Sequence, residues 1–283
     1  MGIAIISDTD TSLPSESLEK FGIRQVSITI HFGEEILRAC ADITDEELVE
    51  RVKKEGVLPT TAAPSPGDFL EAYQEAFDNG ADEILCLTVS AGVSATYQAA
   101  LAAKELFPGK EITVFDTESI SMGQGFMVLK AAELAKAGKN KEEILKEVVK
   151  VRDRTHLFAA LDTLKFMAMS GRVGHLTAEM ANVLSIKPIL TILDGKLDLL
   201  EKVRTRKKAW SRVLDLTVEG LGDGEFESIY ILHVAAAEAA AEFEKQLREV
   251  VPCPAYIPKT ELTAGLSVHT GGGLVGIAFT TKP

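Results

Sequence analysis

The chain has 283 residues, of which 46% are hydrophobic and 25% charged, as in a globular protein of one large or two ordinary domains. Its formal net charge of −12 argues against the binding of nucleic-acid backbones and against adhesion to anionic lipid. Three isolated cysteines, and no apolar run near the roughly 20 residues that span a bilayer, predict a cytoplasmic protein without disulfides, a zinc site or stable membrane insertion.

The first half of the chain alternates strand and helix signals. Ile3–Ser7 predicts a strand and not a secretory signal, since no basic region or cleavage site accompanies it. Further strands are predicted at Ile23–Ile30, Ile84–Val89 and Ile112–Asp116, and helices at Ser15–Phe21, after the caps at Thr44 and Ser65, and before Pro108. This alternation predicts an α/β domain with a mostly parallel sheet and helices on both faces.

The pattern changes after a capped helix that begins at Asn140 and ends near Arg152. Asp194-Gly195 joins two apolar segments in the manner of a β-hairpin turn, which indicates antiparallel strands. The other elements of this half are strands at Leu157–Leu161, Ser228–Val234 and Gly273–Phe279, and a helix at Ala235–Val250. We therefore predict a C-terminal mixed or antiparallel α/β domain, domain limits of 1–153 and 154–283, and a ligand cleft between the domains.

The most informative segment is Leu87–Gln98, where an apolar strand gives way to small and hydroxyl residues before a helix. Ser90 and Ser94 stand near the start of that helix, where free N–H groups and the helix dipole favour anions. Similar turns occur at Pro59–Phe69, Asp116–Gly123 and Val268–Gly273. Each alone is most simply a turn with a helix cap. A cap does not explain His269 in a triple-glycine turn, where an imidazole can donate a hydrogen bond to a carboxylate.

Other classes of function have weaker support. The sequence has no phosphate-binding loop, no dinucleotide-binding glycine pattern and no metal-ligand spacing. Ser94, an aspartate and His269 keep the order of an α/β-hydrolase triad, so a serine hydrolase or esterase is the alternative. Against that alternative, Ser90–Gly92 separate Ser94 from its strand and no glycine-rich oxyanion segment precedes it. The basic segment Lys202–Arg212 is either a solvated face or a docking surface for an acidic partner.

Six segments, in this order, resemble the motifs of the DegV family of bacterial fatty-acid-binding proteins. They are Ile6–Pro14, Pro59–Phe69, Ser90–Gln98, Asp116–Gly123, Leu161–Val173 and His269–Gly273. The resemblance extends over essentially the whole chain. The chain departs from the family pattern at Ala62-Ala63, where Ser-Gln is common, and at Gly272, where proline is usual. These departures concern the preferred type of acyl chain more than fatty acid binding itself.

The resemblance implies a two-domain protein that holds a long-chain fatty acid, such as a C16–C18 chain, in a tunnel between the domains. Family members that have a kinase partner present the bound acid to it, and the kinase makes acyl-phosphate from ATP. The implied carboxylate contacts are Thr61, Ser94 and His269, with Ser90, Arg172 and Thr270 as neighbours. No cofactor, metal or catalytic residue is expected in this chain, because phosphoryl transfer needs magnesium and a phosphate cradle that the sequence does not supply.

Overall fold

The computed structural model describes residues 2–171 and 186–283. The strands are β1 (Ile3–Asp8), β2 (Arg24–Val26), β3 (Thr29–Phe32), β4 (Glu35–Arg38), β5 (Thr60–Ala62), β6 (Glu83–Thr88), β7 (Glu111–Asp116), β8 (Thr155–Ala160), β9 (Lys187–Leu193), β10 (Lys196–Val203), β11 (Phe226–His233), β12 (Lys259–Glu261) and β13 (Val275–Thr281). The helices are α1 (Ser15–Phe21), α2 (Asp45–Glu55), α3 (Pro66–Asp78), α4 (Thr96–Lys104), α5 (Ser121–Lys136), α6 (Lys141–Asp153), α7 (Lys165–Met169), α8 (Arg206–Leu221), α9 (Ala237–Val250) and α10 (Ala264–Thr270).

The N-terminal sheet has the strand order β2-β1-β6-β7, and all of its strand pairs are parallel. Alternate side chains of these strands enter different cores, because successive residues of a strand point to opposite faces of the sheet. Ile5 and Leu85 pack in the core that contains α5 and α6, whereas Ile6 and Cys86 pack in the core that contains α3 and α4. The predicted parallel sheet with helices on both faces is confirmed.

The second sheet has the order β10-β9-β8-β13-β11-β12 and is antiparallel except at the pair β11–β12. Its two faces are divided in the same way. Leu157 and Ala159 of β8 share a core with α5, whereas Phe158 packs in the core of α8 and α9. Asp194 and Gly195 both adopt left-handed backbone conformations and form the two-residue turn between β9 and β10. The predicted mixed sheet and its hairpin are confirmed.

The segment predicted as one strand, Ile23–Ile30, is two strands in two sheets. β2 pairs with β1, whereas β3 belongs to a separate antiparallel sheet of order β4-β3-β5. The chain leaves the first sheet at Ile28, whose N–H donates to Thr9 Oγ1 at 3.0 Å and whose carbonyl accepts from the Ala39 N–H at 2.9 Å. Both partners are distant in sequence, so the local alternation of apolar and polar residues does not show the break.

Helix α5 lies between the two large sheets, and one hydrophobic core contains side chains from both sheets and from this helix. That core contains Leu85 of the first sheet, Met127 of α5 and Leu232 of the second sheet, all of them buried. The relative position of the two sheets is therefore fixed by packing and not only by the connecting chain. Across residues 2–171 and 186–283, no helix combines the length and the apolar character needed to cross a membrane.

Candidate functional site

A cavity lies between the carboxyl ends of three parallel strands and one face of the second sheet. The segments that follow β1 and β6 contribute Asp10 and Ser94 to its wall, and the start of α5, which follows β7, contributes Ser121. This is the edge of an open α/β sheet at which ligands generally bind. The cavity holds about 880 Å³ of empty space, part of it open to solvent.

Most of the cavity wall is hydrocarbon. Leucines from the second sheet and its connections dominate it: Leu157, Leu190, Leu232, Leu262, Leu266 and Leu274. Strand β8 shows how the sequence produces this surface, since Leu157 and Ala159 are two residues apart and therefore point to the same side. Met167 of α7 completes the wall with a flexible apolar side chain. The cavity therefore suits a long apolar ligand.

Thr61 and His269 form a polar pair in this wall. Thr61 Oγ1 lies 2.9 Å from His269 Nε2, although the two residues are 208 positions apart in sequence. Thr61 is held by β5 of the small sheet and His269 by α10, and both line the cavity. Which group donates depends on the imidazole tautomer. Either group can be the donor to a carboxylate without a full charge on the protein; for example, when Nε2–H donates to Thr61 Oγ1, the Thr61 hydroxyl keeps its own proton for the ligand.

His269 lies in a helix and not in the turn where the triple-glycine pattern placed it. Helix α10 ends after Thr270, and Gly271 follows with a φ of 72°, which glycine adopts without strain. A Cβ atom at position 271 would lie 2.3 Å from the ring of Phe166 in α7. This first glycine therefore ends the helix and lets α7 pack closely. Gly271 and Phe166 are far apart in sequence, so the sequence pattern does not show their contact and suggested a ligand contact instead.

The helix that carries His269 is attached to α2 by a hydrogen bond. Ser267 Oγ, which is buried, lies 2.6 Å from Asp45 Oδ1 at the start of α2. Burial raises the pKa of Asp45 from its ordinary value of 3.8 to about 7, with the hydrogen bond from Ser267 opposing this shift and the charge of Glu261 adding to it. Asp45 and Ser267 had no role in the sequence-based prediction, because only the fold brings them together.

The raised pKa of Asp45 predicts a pH dependence of stability. A carboxyl that holds its proton more tightly when folded stabilises the protein below its unfolded pKa, and this contribution is lost as the pH rises through about 7. Between about pH 5 and about pH 8, Asp45→Asn should lose less unfolding free energy than the unsubstituted protein does. The difference should be about 1.4 kcal/mol or more, which is the equivalent of one pKa unit. Urea denaturation of both proteins at the two pH values measures this difference, and equal losses would contradict the prediction.

Ser94 lines the cavity, and its hydroxyl is engaged within its own turn. Ser94 Oγ lies 2.8 Å from Thr96 Oγ1 and accepts from the Thr96 N–H at 3.3 Å. A catalytic serine would pass its proton to the imidazole, yet Nε2 of His269 faces Thr61. Ser94 also lacks the positive φ that the strained serine of a nucleophile elbow adopts. The geometry favours a hydrogen-bonding role for Ser94 over the hydrolase alternative.

Ser90 is not one of the residues that line the cavity. Its side chain is fully buried, and Ser90 Oγ donates to the carbonyl of Gly195 at 2.5 Å and accepts from the Gly92 N–H at 3.1 Å. Gly92 is close enough to the same carbonyl that a Cβ there would lie 2.3 Å from it. Ser90 thus joins the turn after β6 to the hairpin turn of the second sheet.

We expect Ser90→Ala to destabilise the protein with little change in ligand affinity. The substitution leaves the buried carbonyl of Gly195 without its donor, which costs about 1–3 kcal/mol. Chemical denaturation measures this loss, and a fatty-acid displacement assay under native conditions measures the affinity. A large loss of affinity with unchanged stability would instead show that Ser90 acts on the ligand.

A buried carboxylate, Asp8, holds the turns beside the cavity together. Its oxygens accept from the N–H groups of Val89 at 2.7 Å and Asp10 at 3.0 Å, and from Gln124 Nε2 at 3.2 Å. Burial raises the pKa of Asp8 to about 6, although these hydrogen bonds lower it. Nothing in the local sequence shows this role, because all but one of the partners are remote.

The remaining predicted residues differ in how far the structure describes them. Thr270 lines the cavity beside His269. Arg172 lies outside the described residues. In the basic segment Lys202–Arg212, Arg212 pairs with glutamates of β10 and α8, and Arg206 pairs with Asp162. The described part of the chain has no group of three or more His, Cys, Asp or Glu residues placed to hold a metal ion.

Comparisons with known proteins identify relatives over the full length of the chain. A family model described as "Uncharacterised protein, DegV family" matches residues 2–282. A DegV domain-containing protein of Streptomyces coelicolor is 33% identical over 280 residues, 99% of each chain. The structure is similar to that of a fatty-acid-binding DegV family protein from Thermus thermophilus, with a TM-score of 0.92, 30% identity and 100% of both chains covered. It is also similar to DegV, a fatty acid binding protein from Bacillus subtilis, with a TM-score of 0.89, 30% identity and 100% of both chains covered.

Proposed function

This chain belongs to the DegV family, and from that premise we propose that it binds a long-chain fatty acid in the cavity and presents the carboxylate to a separate ATP-dependent kinase. The observation that carries the proposal is the Thr61–His269 pair in the wall of a cavity that is otherwise lined mainly by leucine. The solved relatives from Thermus thermophilus and Bacillus subtilis are fatty-acid-binding proteins. The proposed head-group contacts are Thr61, Ser94 and His269.

Burial of the acyl chain supplies the affinity. Removing a dozen methylenes from water contributes on the order of 10 kcal/mol, at about 0.8 kcal/mol each, before the costs of ordering the ligand. The head group therefore needs orientation more than attraction. Hydroxyl and imidazole donors provide this orientation without the desolvation penalty of a buried ion pair.

The chain acts as the substrate-carrying subunit and not as the phosphoryl-transfer catalyst. Its sequence has no glycine-rich phosphate loop. The kinase would supply magnesium and the phosphate cradle, and the carboxylate held by Thr61 and His269 would be the nucleophile toward the γ-phosphate of ATP. We place this reaction in the cytoplasm, where ATP is available.

Native mass spectrometry of the protein purified from a bacterial host tests the binding proposal. We expect one co-purified acyl chain per protein, released as a fatty acid after denaturation. The protein should then be delipidated and offered hexadecanoic acid. A protein that remains empty with added acid would contradict the proposed function.

A further inference from the structure

Helix α10, which carries His269, is tied to two other elements by side-chain hydrogen bonds. One of them joins it to β5, where Thr61 Oγ1 lies 2.9 Å from His269 Nε2. The other joins it to α2, where Asp45 Oδ1 lies 2.6 Å from the Oγ of Ser267, two residues before His269. Because α10 has only seven residues, a movement at Ser267 is transmitted to His269.

The hydroxyl of Ser267 has several oxygens around it and one proton to donate. Ser267 Oγ lies 2.6 Å from Asp45 Oδ1 and 3.2 Å from each of the carbonyl oxygens of Leu262 and Thr263. If Asp45 is ionised, Ser267 donates to it and has no proton left for a carbonyl. If Asp45 is protonated, its own O–H donates to Ser267 Oγ, and Ser267 donates to a carbonyl. A protonated Asp45 therefore supplies the second donor that this arrangement needs.

The surroundings of Asp45 favour this proton near neutral pH. Burial raises the pKa of Asp45 to about 7, with the hydrogen bond from Ser267 opposing the shift and the charge of Glu261 adding to it. Burial also raises the pKa of the Cys40 thiol to about 12, so this neighbour is neutral. The titratable groups around Asp45 in the described chain are acids: Glu261 of β12, Cys40 of the turn before α2, Asp10 of the turn after β1, and the exposed Glu46 and Glu47 of its own helical turn.

We propose that Asp45 is a positioning residue for the carboxylate site, and that through Ser267 it sets the position of His269 according to whether Asp45 carries a proton. This inference rests on the proposed function and adds a pH control of the same site. With the proton, α10 holds His269 opposite Thr61. Without it, the Ser267 hydroxyl turns from the helix carbonyls to Asp45, and Glu261 repels the new charge, so α2 and α10 take a different relative position.

Carbon-13 NMR of bound hexadecanoic acid, labelled at the carboxyl carbon, tests this control without a kinase. The chemical shift of the labelled carbon reports the hydrogen bonds that the head group receives. We expect a titration step in this shift with a midpoint near pH 7 in the unsubstituted protein. The step should be absent in Asp45→Asn, because the carboxamide N–H can donate to Ser267 at every pH. Ionisation of the ligand or of the imidazole appears in both proteins and cancels in the comparison.

A coupled assay with a purified kinase partner and ATP adds a second readout, the dependence of the rate on pH. Between about pH 6 and about pH 8.5, the rate with the unsubstituted protein should fall by about tenfold relative to the rate with Asp45→Asn, since a displacement of about 1 Å can cost 100-fold. The pH dependence of the kinase cancels in this ratio. The affinity for hexadecanoic acid should change by less than about threefold, because burial of the acyl chain supplies it. A ratio that does not change with pH would contradict the proposal.

Ser267→Ala removes the link and leaves Asp45 in place. It should abolish the Asp45-dependent step in the carbon-13 shift, and a step retained in a folded Ser267→Ala protein would overturn the route through Ser267. If this variant fails to fold, the unsubstituted protein and Asp45→Asn decide the matter, and equal titration curves would overturn the role of Asp45. Absence of any signal from bound acid would reject the proposed function itself, whereas a bound signal with equal curves would reject only the role of Asp45.

Discussion

Replacing Ala159 by phenylalanine should lower the affinity for a long-chain fatty acid by roughly 50-fold. Ala159 points from β8 into the cavity, and its cross-strand partner Gly276 has no side chain to obstruct a ring. If the ring takes the space of about three methylenes, about 2.4 kcal/mol of acyl burial is lost, at ~0.8 kcal/mol each. A loss of that size corresponds to about 50-fold in affinity.

Ala159→Val is the graded control for this change. Valine fills less of the cavity and should cause a smaller loss of affinity than phenylalanine. Thermal denaturation of the ligand-free proteins shows whether a loss of affinity comes from a filled cavity or from a damaged fold. A folded Ala159→Phe protein with unchanged affinity would show that the acyl chain does not occupy the space beside β8.

Replacing His269 by alanine should impair acyl-phosphate formation more than fatty acid binding. In the proposed function the acyl chain supplies most of the affinity, so loss of one hydrogen bond to the carboxylate should weaken binding by about tenfold. Phosphoryl transfer depends on the position of the attacking oxygen, and a displacement of about 1 Å can cost 100-fold in rate. We therefore expect at least about a 100-fold loss in a coupled assay with a purified kinase partner and ATP.

Thr61→Val is the matched variant for this prediction. Valine keeps the shape of threonine and removes the hydroxyl that pairs with His269 Nε2 at 2.9 Å. The same uncoupling of binding from phosphorylation is expected, with a smaller effect because the imidazole remains. If binding and phosphorylation fall equally in both variants, the polar pair supports the fold and does not orient the carboxylate.

Local sequence signals predicted the helix starts well. The patterns at Thr44, Ser65 and Asn140 each form a capping box in the structure. Such a box uses only residues within one turn of each other, so the sequence contains all of the information needed to recognise it. The hairpin turn at Asp194-Gly195 is predictable for the same reason.

Close packing by glycine misled the prediction where helices begin or end. Helix α5 was not among the predicted elements, although the segment Asp116–Gly123, in which it begins at Ser121, was interpreted as a turn with a helix cap. A Cβ at Gly123 would lie 2.3 Å from Ser119 Oγ, and one at Gly125 would lie 2.9 Å from the carbonyl oxygen of Thr11. These glycines permit contact with neighbouring segments inside a helix, although in sequence they resemble helix breakers.

The site was predictable in part. His269 was singled out from its triple-glycine segment and Thr61 through the family resemblance, and the structure places them in contact in the cavity wall. The supporting carboxylates were missed, because an aspartate acquires such a role only through burial. Asp8 and Asp45 are ordinary acidic residues in the sequence, and their raised pKa values come first from desolvation.

A crystal structure of the protein with a bound fatty acid tests the central claim most directly. We expect continuous density for the acyl chain beside Leu157, Leu190 and Leu232, and a carboxylate within hydrogen-bond distance of Thr61 Oγ1 and His269 Nε2. An acid bound elsewhere, or one whose carboxylate points away from this pair, would contradict the claim.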